Sequence, residues 1–109
     1  MPQKPQLETL QQQLAEKFDA PVPAHTFEEL MIQVGKIVYN LIVNDMNRLL
    51  FILYRVDVDE QKVLKIIREN TLPDAANLIA GALISRQLQK IQQRSERGAS
   101  DEIPEDEKW

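Results

Sequence analysis

Leu7, Leu10, Leu14 and Phe18 recur at three- and four-residue intervals, with Gln11, Gln12, Gln13, Glu16 and Lys17 between them. This narrow apolar stripe predicts a short amphipathic helix over residues 5–18. The segment DAPVPA at 19–24 ends it, because alternate prolines remove amide donors and cannot propagate a helix. Residues 19–25 therefore read as a linker. Thr26-Phe27-Glu28-Glu29 fits a capping box, in which the Thr26 hydroxyl accepts from the Glu29 amide and the Glu29 side chain reaches back to the Thr26 amide. A long central helix is predicted from 27 to 55, continuous or kinked near Asn44–Asn47. No Pro follows until residue 73, and Gly35 alone does not stop a helix.

Projected as one straight helix, 27–55 places Gln33, Lys36, Asn40, Asn44, Asn47, Phe51 and Arg55 on one side. Leu30, Val34, Val38, Leu41, Ile42, Leu49, Ile52 and Leu53 occupy most of the remaining circumference, far wider than the ~100° stripe of an ordinary surface helix. The expectation is a central helix buried by neighbours on several sides. The run LLFILYRVDVDE (49–60) then reads as the end of that helix and the start of another. Asp57 is the candidate N-cap, with Glu60 completing a second capping box. Val63, Leu64, Ile66 and Ile67 give the buried side of a helix over 58–69.

NTLPD (70–74) is the next break, and a last helix is predicted from 73 to 95. Leu72, Ala75, Ala76, Ile79, Ala82 and Leu83 share one side early in it. Ile84, Leu88 and Ile91 form a narrow seam later. The two Gln-flanked seams, 7/10/14/18 and 84/88/91, each need a partner; pairing with each other or across a dimer satisfies both. Ala76, Ala80, Gly81, Ala82 and Ser85 allow another helix to approach closely. From residue 98 the chain is acidic and carries Gly, Ser and Pro, the composition of a disordered tail over 98–109. The reading is an all-α fold: a small bundle of about four helices forming one domain over 1–97.

Composition narrows the function classes. The chain has 109 residues, no cysteine, one histidine and a formal net charge of −4. Absence of cysteine excludes disulfides and thiolate metal sites. The acidic balance disfavours nucleic acid and anionic membranes. The apolar stretch Ile37–Val56 is interrupted by Asn40, Asn44, Asp45, Asn47 and Arg48, which argues against a membrane span. The N-terminus lacks the apolar region of a signal peptide, and a cytoplasmic location is expected.

Candidate chemistry is sparse. Asp45 falls inside the apolar arc of the straight projection and is expected to be buried and paired, to Arg48 or Arg68, since an unpaired buried carboxylate is very costly. Asp57, Asp59 and Gln61 imitate positions 1, 3 and 5 of a calcium loop. The loop requires Gly where Lys62 stands and Glu where Arg68 stands, so capping explains these acids better. No Glu-x-x-His pair exists for a di-metal bundle, and His25 has no nucleophile beside it. No metal or other cofactor is expected. Arg86, Lys90 and Arg94 give the last helix a basic side, and the pair 58–69/73–95 suggests a helix-turn-helix. However, the N-terminal end of that helix, Leu72-Pro73-Asp74-Ala75-Ala76, offers little to read bases with. Ile103 and Trp109 in the acidic tail are candidate anchors for a protein partner.

The stretches LLFILYRVDVDEQKVLKII and ANLIAGALISRQLQKIQQR resemble an uncharacterised family of small all-helical bacterial proteins, over roughly residues 26–97. The resemblance implies an all-α fold and a bacterial origin, and no activity. The function expected from the sequence is a non-enzymatic interaction or structural module, homodimeric, with a protein partner. A helix-turn-helix nucleic-acid binder is the alternative, and a small-ligand binder or enzyme the second alternative.

Overall fold

A computed structural model describes residues 4–100, and side chains from 6 to 93. Among the described residues there are five helices and no strand: α1 Lys4–Phe18, α2 Phe27–Asn44, α3 Met46–Val56, α4 Glu60–Glu69 and α5 Leu72–Ser100. The expected count of four becomes five because the central helix 27–55 is two helices. α5 runs past its expected end at 95 and takes in 98–100, the start of the segment expected to be a disordered tail; the rest of that tail lies outside the described residues.

The bundle is built on α5, which packs against all four other helices, most extensively against α2. The small residues read from the sequence make this possible. Ala75, Ala76 and Ala80 are buried, and Gly35 of α2 comes so close that a Cβ there would meet Asn77 Oδ1 at 2.9 Å. Leu30, Val34 and Val38 supply the apolar side of α2, and Ile79, Leu83 and Ile84 that of α5. The two narrow seams pair with each other. Leu10 and Leu14 are fully buried as α1 lies against α5, with Leu88 and Ile91 packed at the margin of the same core. Neither seam therefore requires a second chain.

The caps explain where the helices begin and end. At α2 the Glu29 amide donates to Thr26 Oγ1 at 3.1 Å, as the capping box requires. The Glu29 carboxylate accepts from the His25 amide at 2.7 Å, one residue earlier than expected. α1 ends with Asp19 left-handed (φ 56°), the Asp19 amide donating to Glu16 O and the Ala20 amide to Ala15 O. α3 ends in the same way, with Asp57 at φ 74°, the Asp57 amide on Tyr54 O and the Val58 amide on Leu53 O. Both are Schellman closures with aspartate where glycine is commonest.

This corrects the sequence reading of Asp57. It terminates α3, and Asp59 is the N-cap of α4, accepting from the Gln61 amide at 3.0 Å. The pattern Asp-x-Asp-Glu accommodates either register, and the closure of α3 decides between them. Thr71 caps α5, its hydroxyl accepting from the Asp74 amide at 3.3 Å.

A left-handed non-glycine residue is strained by its Cβ, and a carboxylate beside a helix C-terminus opposes the dipole. Asp19 bears both costs on an exposed side chain. Asp19→Gly is expected to raise unfolding stability by about 1 kcal/mol, after the entropy of the more flexible unfolded chain is set against the relief. Chemical denaturation followed by helical circular dichroism checks this; an unchanged or lower midpoint contradicts it.

Candidate interaction surface and polar groove

Asp45 is where the central helix breaks. Its backbone adopts φ −156° and ψ 70°, so it closes α2 and opens α3 at once. Its amide still donates to Leu41 O at 2.8 Å, while its Oδ1 accepts from the Arg48 amide at 3.2 Å. The expectation of a buried Asp45 is corrected here: the side chain is exposed. A straight helix would carry this carboxylate into the core. The break lets it surface and cap, while α3 turns Leu49, Ile52, Leu53 and Val56 inward. Arg48 does not pair with Asp45 through its guanidinium. That group reaches the α1 terminus and donates to Phe18 O at 2.9 Å.

The basic side of α5 is partly spoken for. Arg86 forms a 3.0 Å ion pair with Asp57 and donates to Gln89 Oε1 at 2.8 Å. Lys90 is half-buried, and its pKa is pulled below the ordinary lysine range by that burial and by the Arg86 charge; Asp57 pulls it back up and Lys17 pushes it down. The side chain of Arg94 and the anchors Ile103 and Trp109 lie outside the described residues. No observation favours a nucleic-acid face over an ordinary helix surface.

Two features were not legible from sequence. The first is apolar and exposed. Ile32, Tyr39 and Val43 follow one another along the solvent side of α2, with Ile32 56% and Val43 54% exposed. Ile32 and Tyr39 border a groove of about 380 Å3 between α2 and the start of α5, where Gly35, Pro73 and Ala76 also contribute. The straight projection, which wrapped helix 27–55 in neighbours on several sides, hid this row. Phe51 and Tyr54 of α3 are also exposed, with the Arg55 guanidinium 5.7 Å from the Phe51 ring centroid.

The second feature is a polar groove of about 550 Å3 between α1 and α5, lined by Thr9, Gln13, Glu16, Lys17, Gln87, Lys90 and Ile91. Gln87 is 4% exposed and donates through Nε2 to Gln13 Oε1, while its own Oε1 has no hydrogen-bond partner. The signal in the sequence was a glutamine interrupting an apolar seam between Ile84 and Ile91.

Among the described residues no three His, Cys, Asp or Glu side chains group together to hold a metal ion. No helix there is long and apolar enough to cross a membrane. No protein-family model, curated protein or solved structure matches the chain.

The exposed cap at Asp45 has a measurable signature. Asp45→Leu and Asp45→Lys are expected to destabilise by similar amounts, about 1 kcal/mol each, since both delete the acceptor for the Arg48 amide. Asp45→Ser is expected to retain most of that stability. Thermal unfolding of the three variants checks this; a much greater loss for Lys than for Leu would place the side chain in an apolar environment.

Proposed function

We propose that the chain is a non-enzymatic helical interaction module that works as a cytoplasmic homodimer, using the face formed by α2 and the start of α5. The observation that carries this reading is the exposed row Ile32, Tyr39, Val43 beside the 380 Å3 groove. Such a face holds both parts of a self-complementary interface. Ile32 and Tyr39 are exposed at the edge of the recess, whose walls also include Gly35, Pro73 and Ala76 with the polar Lys36, Asn40 and Asn77, so a partner's apolar side chain has a place to enter. A two-fold axis uses one patch twice, so protrusion and recess on one surface suffice to close a dimer. Tyr39 is of the type that concentrates binding energy at interfaces.

The seams first thought to need a partner do not support the dimer, since α1 and α5 cover each other within one chain. The absence of cysteine is compatible with a cytoplasmic location and does not select it.

Sedimentation equilibrium at micromolar concentration is expected to give twice the 12.6 kDa chain mass. Ile32→Lys is expected to raise the dimer dissociation constant at least about tenfold by placing a desolvated cation in the interface. Leu78→Lys, on an exposed α5 position outside the groove, is expected to leave it unchanged. A monomer throughout the concentration range, or equal effects of the two substitutions, contradicts the reading.

A further inference from the structure

Helix α3 turns two aromatic rings to the solvent. Phe51 is 58% and Tyr54 81% exposed, one turn apart, and the Arg55 guanidinium lies 5.7 Å from the Phe51 ring centroid. From Met46 to Val56 the helix carries Arg48 and Arg55 and no acid. The Arg48 guanidinium donates to the Phe18 carbonyl, whereas Arg55 forms no ion pair among the described residues. Asp57, the acid at the end of this face, is neutralised by Arg86. Exposed aromatic rings beside an unneutralised cation suit an aromatic anchor flanked by acids.

The chain itself carries a segment of that chemistry. Residues 101–109, DEIPEDEKW, hold five acids against one lysine, with Ile103 and Trp109 as anchors. Length decides what this segment can reach from Ser100, where α5 ends. Its nine residues span at most about 30 Å. At the helical rise of about 1.5 Å per residue, position 86 lies about 21 Å back along α5 from Ser100. Arg86 holds Asp57 in a 3.0 Å ion pair, and the Asp57 amide donates to Tyr54 O at 3.1 Å. The end of α3 is thus within reach, and only the last residues of the segment arrive there, Trp109 among them. The α2 recess is farther: Asn77, opposite Gly35, lies about 35 Å from Ser100 along α5.

We propose that the acidic segment 101–109 folds back on its own chain and docks Trp109 against Phe51 and Tyr54, with the acids that precede it drawn to Arg55. The aromatic ring supplies the anchor and the carboxylates its orientation. Docking within one chain leaves the α2 face free, so this contact does not depend on the dimer proposed above.

Trp109 is the single tryptophan of the chain, so its fluorescence reports the contact directly. In the full chain its emission is expected at shorter wavelength, and its quenching by acrylamide to be weaker, than in the free peptide 101–109. The double variant Phe51→Ser, Tyr54→Ser is expected to return both readings to those of the peptide, with the helical circular dichroism unchanged because both positions are exposed. Tyr54→Ser alone makes the same comparison if the double variant does not fold. Arg55→Glu is expected to move both readings toward the peptide, and Ile32→Lys to leave them unaltered. Peptide-like readings in the unaltered chain would overturn the docking. Shielding that survives the loss of both rings would overturn α3 as its seat. Release of Trp109 on dilution or in Ile32→Lys would assign the segment to a second copy and overturn docking within one chain.

Discussion

The close approach of α2 to α5 is the constraint on which the rest of the bundle depends. Gly35 stands opposite Asn77 with no room for a Cβ without movement of that side chain, and Ala76 and Ala80 are buried in the same helix pair. Small residues at a crossing bring two backbones together and let the larger side chains around them interdigitate. Once α5 is held in this way, its other sides become the floor for α1, α3 and α4. A single helix serves four neighbours, which is why its apolar positions drift around its circumference along its length.

The second determinant is the break at Asp45. α2 and α3 together carry more apolar surface than one straight rod presents to one core. Dividing the rod lets each half turn its own stripe inward: Leu30, Val34 and Val38 in α2, and Leu49, Ile52, Leu53 and Val56 in α3. Aspartate suits the division because its short carboxylate competes for the amides of the next turn. The same break sends Arg48 toward the α1 terminus, where it satisfies the Phe18 carbonyl. A local choice at one residue thus contributes to the placement of a helix thirty positions earlier.

Local patterns in the sequence identified the helices well and their long-range relations poorly. The Thr26–Glu29 cap, the breaks within 19–24 and 70–74, and the seams 7/10/14/18 and 84/88/91 were all legible, since each depends on neighbours within a few residues. Asp45 was misread because a projection assumes one axis, and the axis changes at that residue. Asp57 was misread because the closing of one helix and the opening of the next compete for the same acidic run. The Gln13–Gln87 contact was not legible at all. Gln87 interrupts the apolar seam between Ile84 and Ile91, but nothing near either glutamine announces the other as its partner. The exposed row on α2 was likewise hidden, because apolar residues on an all-round apolar helix give no hint of which of them stay in water.

The attachment of α1 has a kinetic meaning. Gln13 and Gln87 are 74 residues apart in sequence, so docking α1 closes a loop across most of the chain. The entropy of such closure must be met before its contacts return anything, whereas α3, α4 and α5 are joined by short connections. The order of assembly that follows has α2 to α5 forming a scaffold first and α1 arriving last. In the native state the same logic runs in reverse. Residues 4–18 join the rest of the chain through the single segment 19–26, so a detachment of α1 that leaves the other four helices standing is a sub-global opening, distinct from unfolding of the whole bundle.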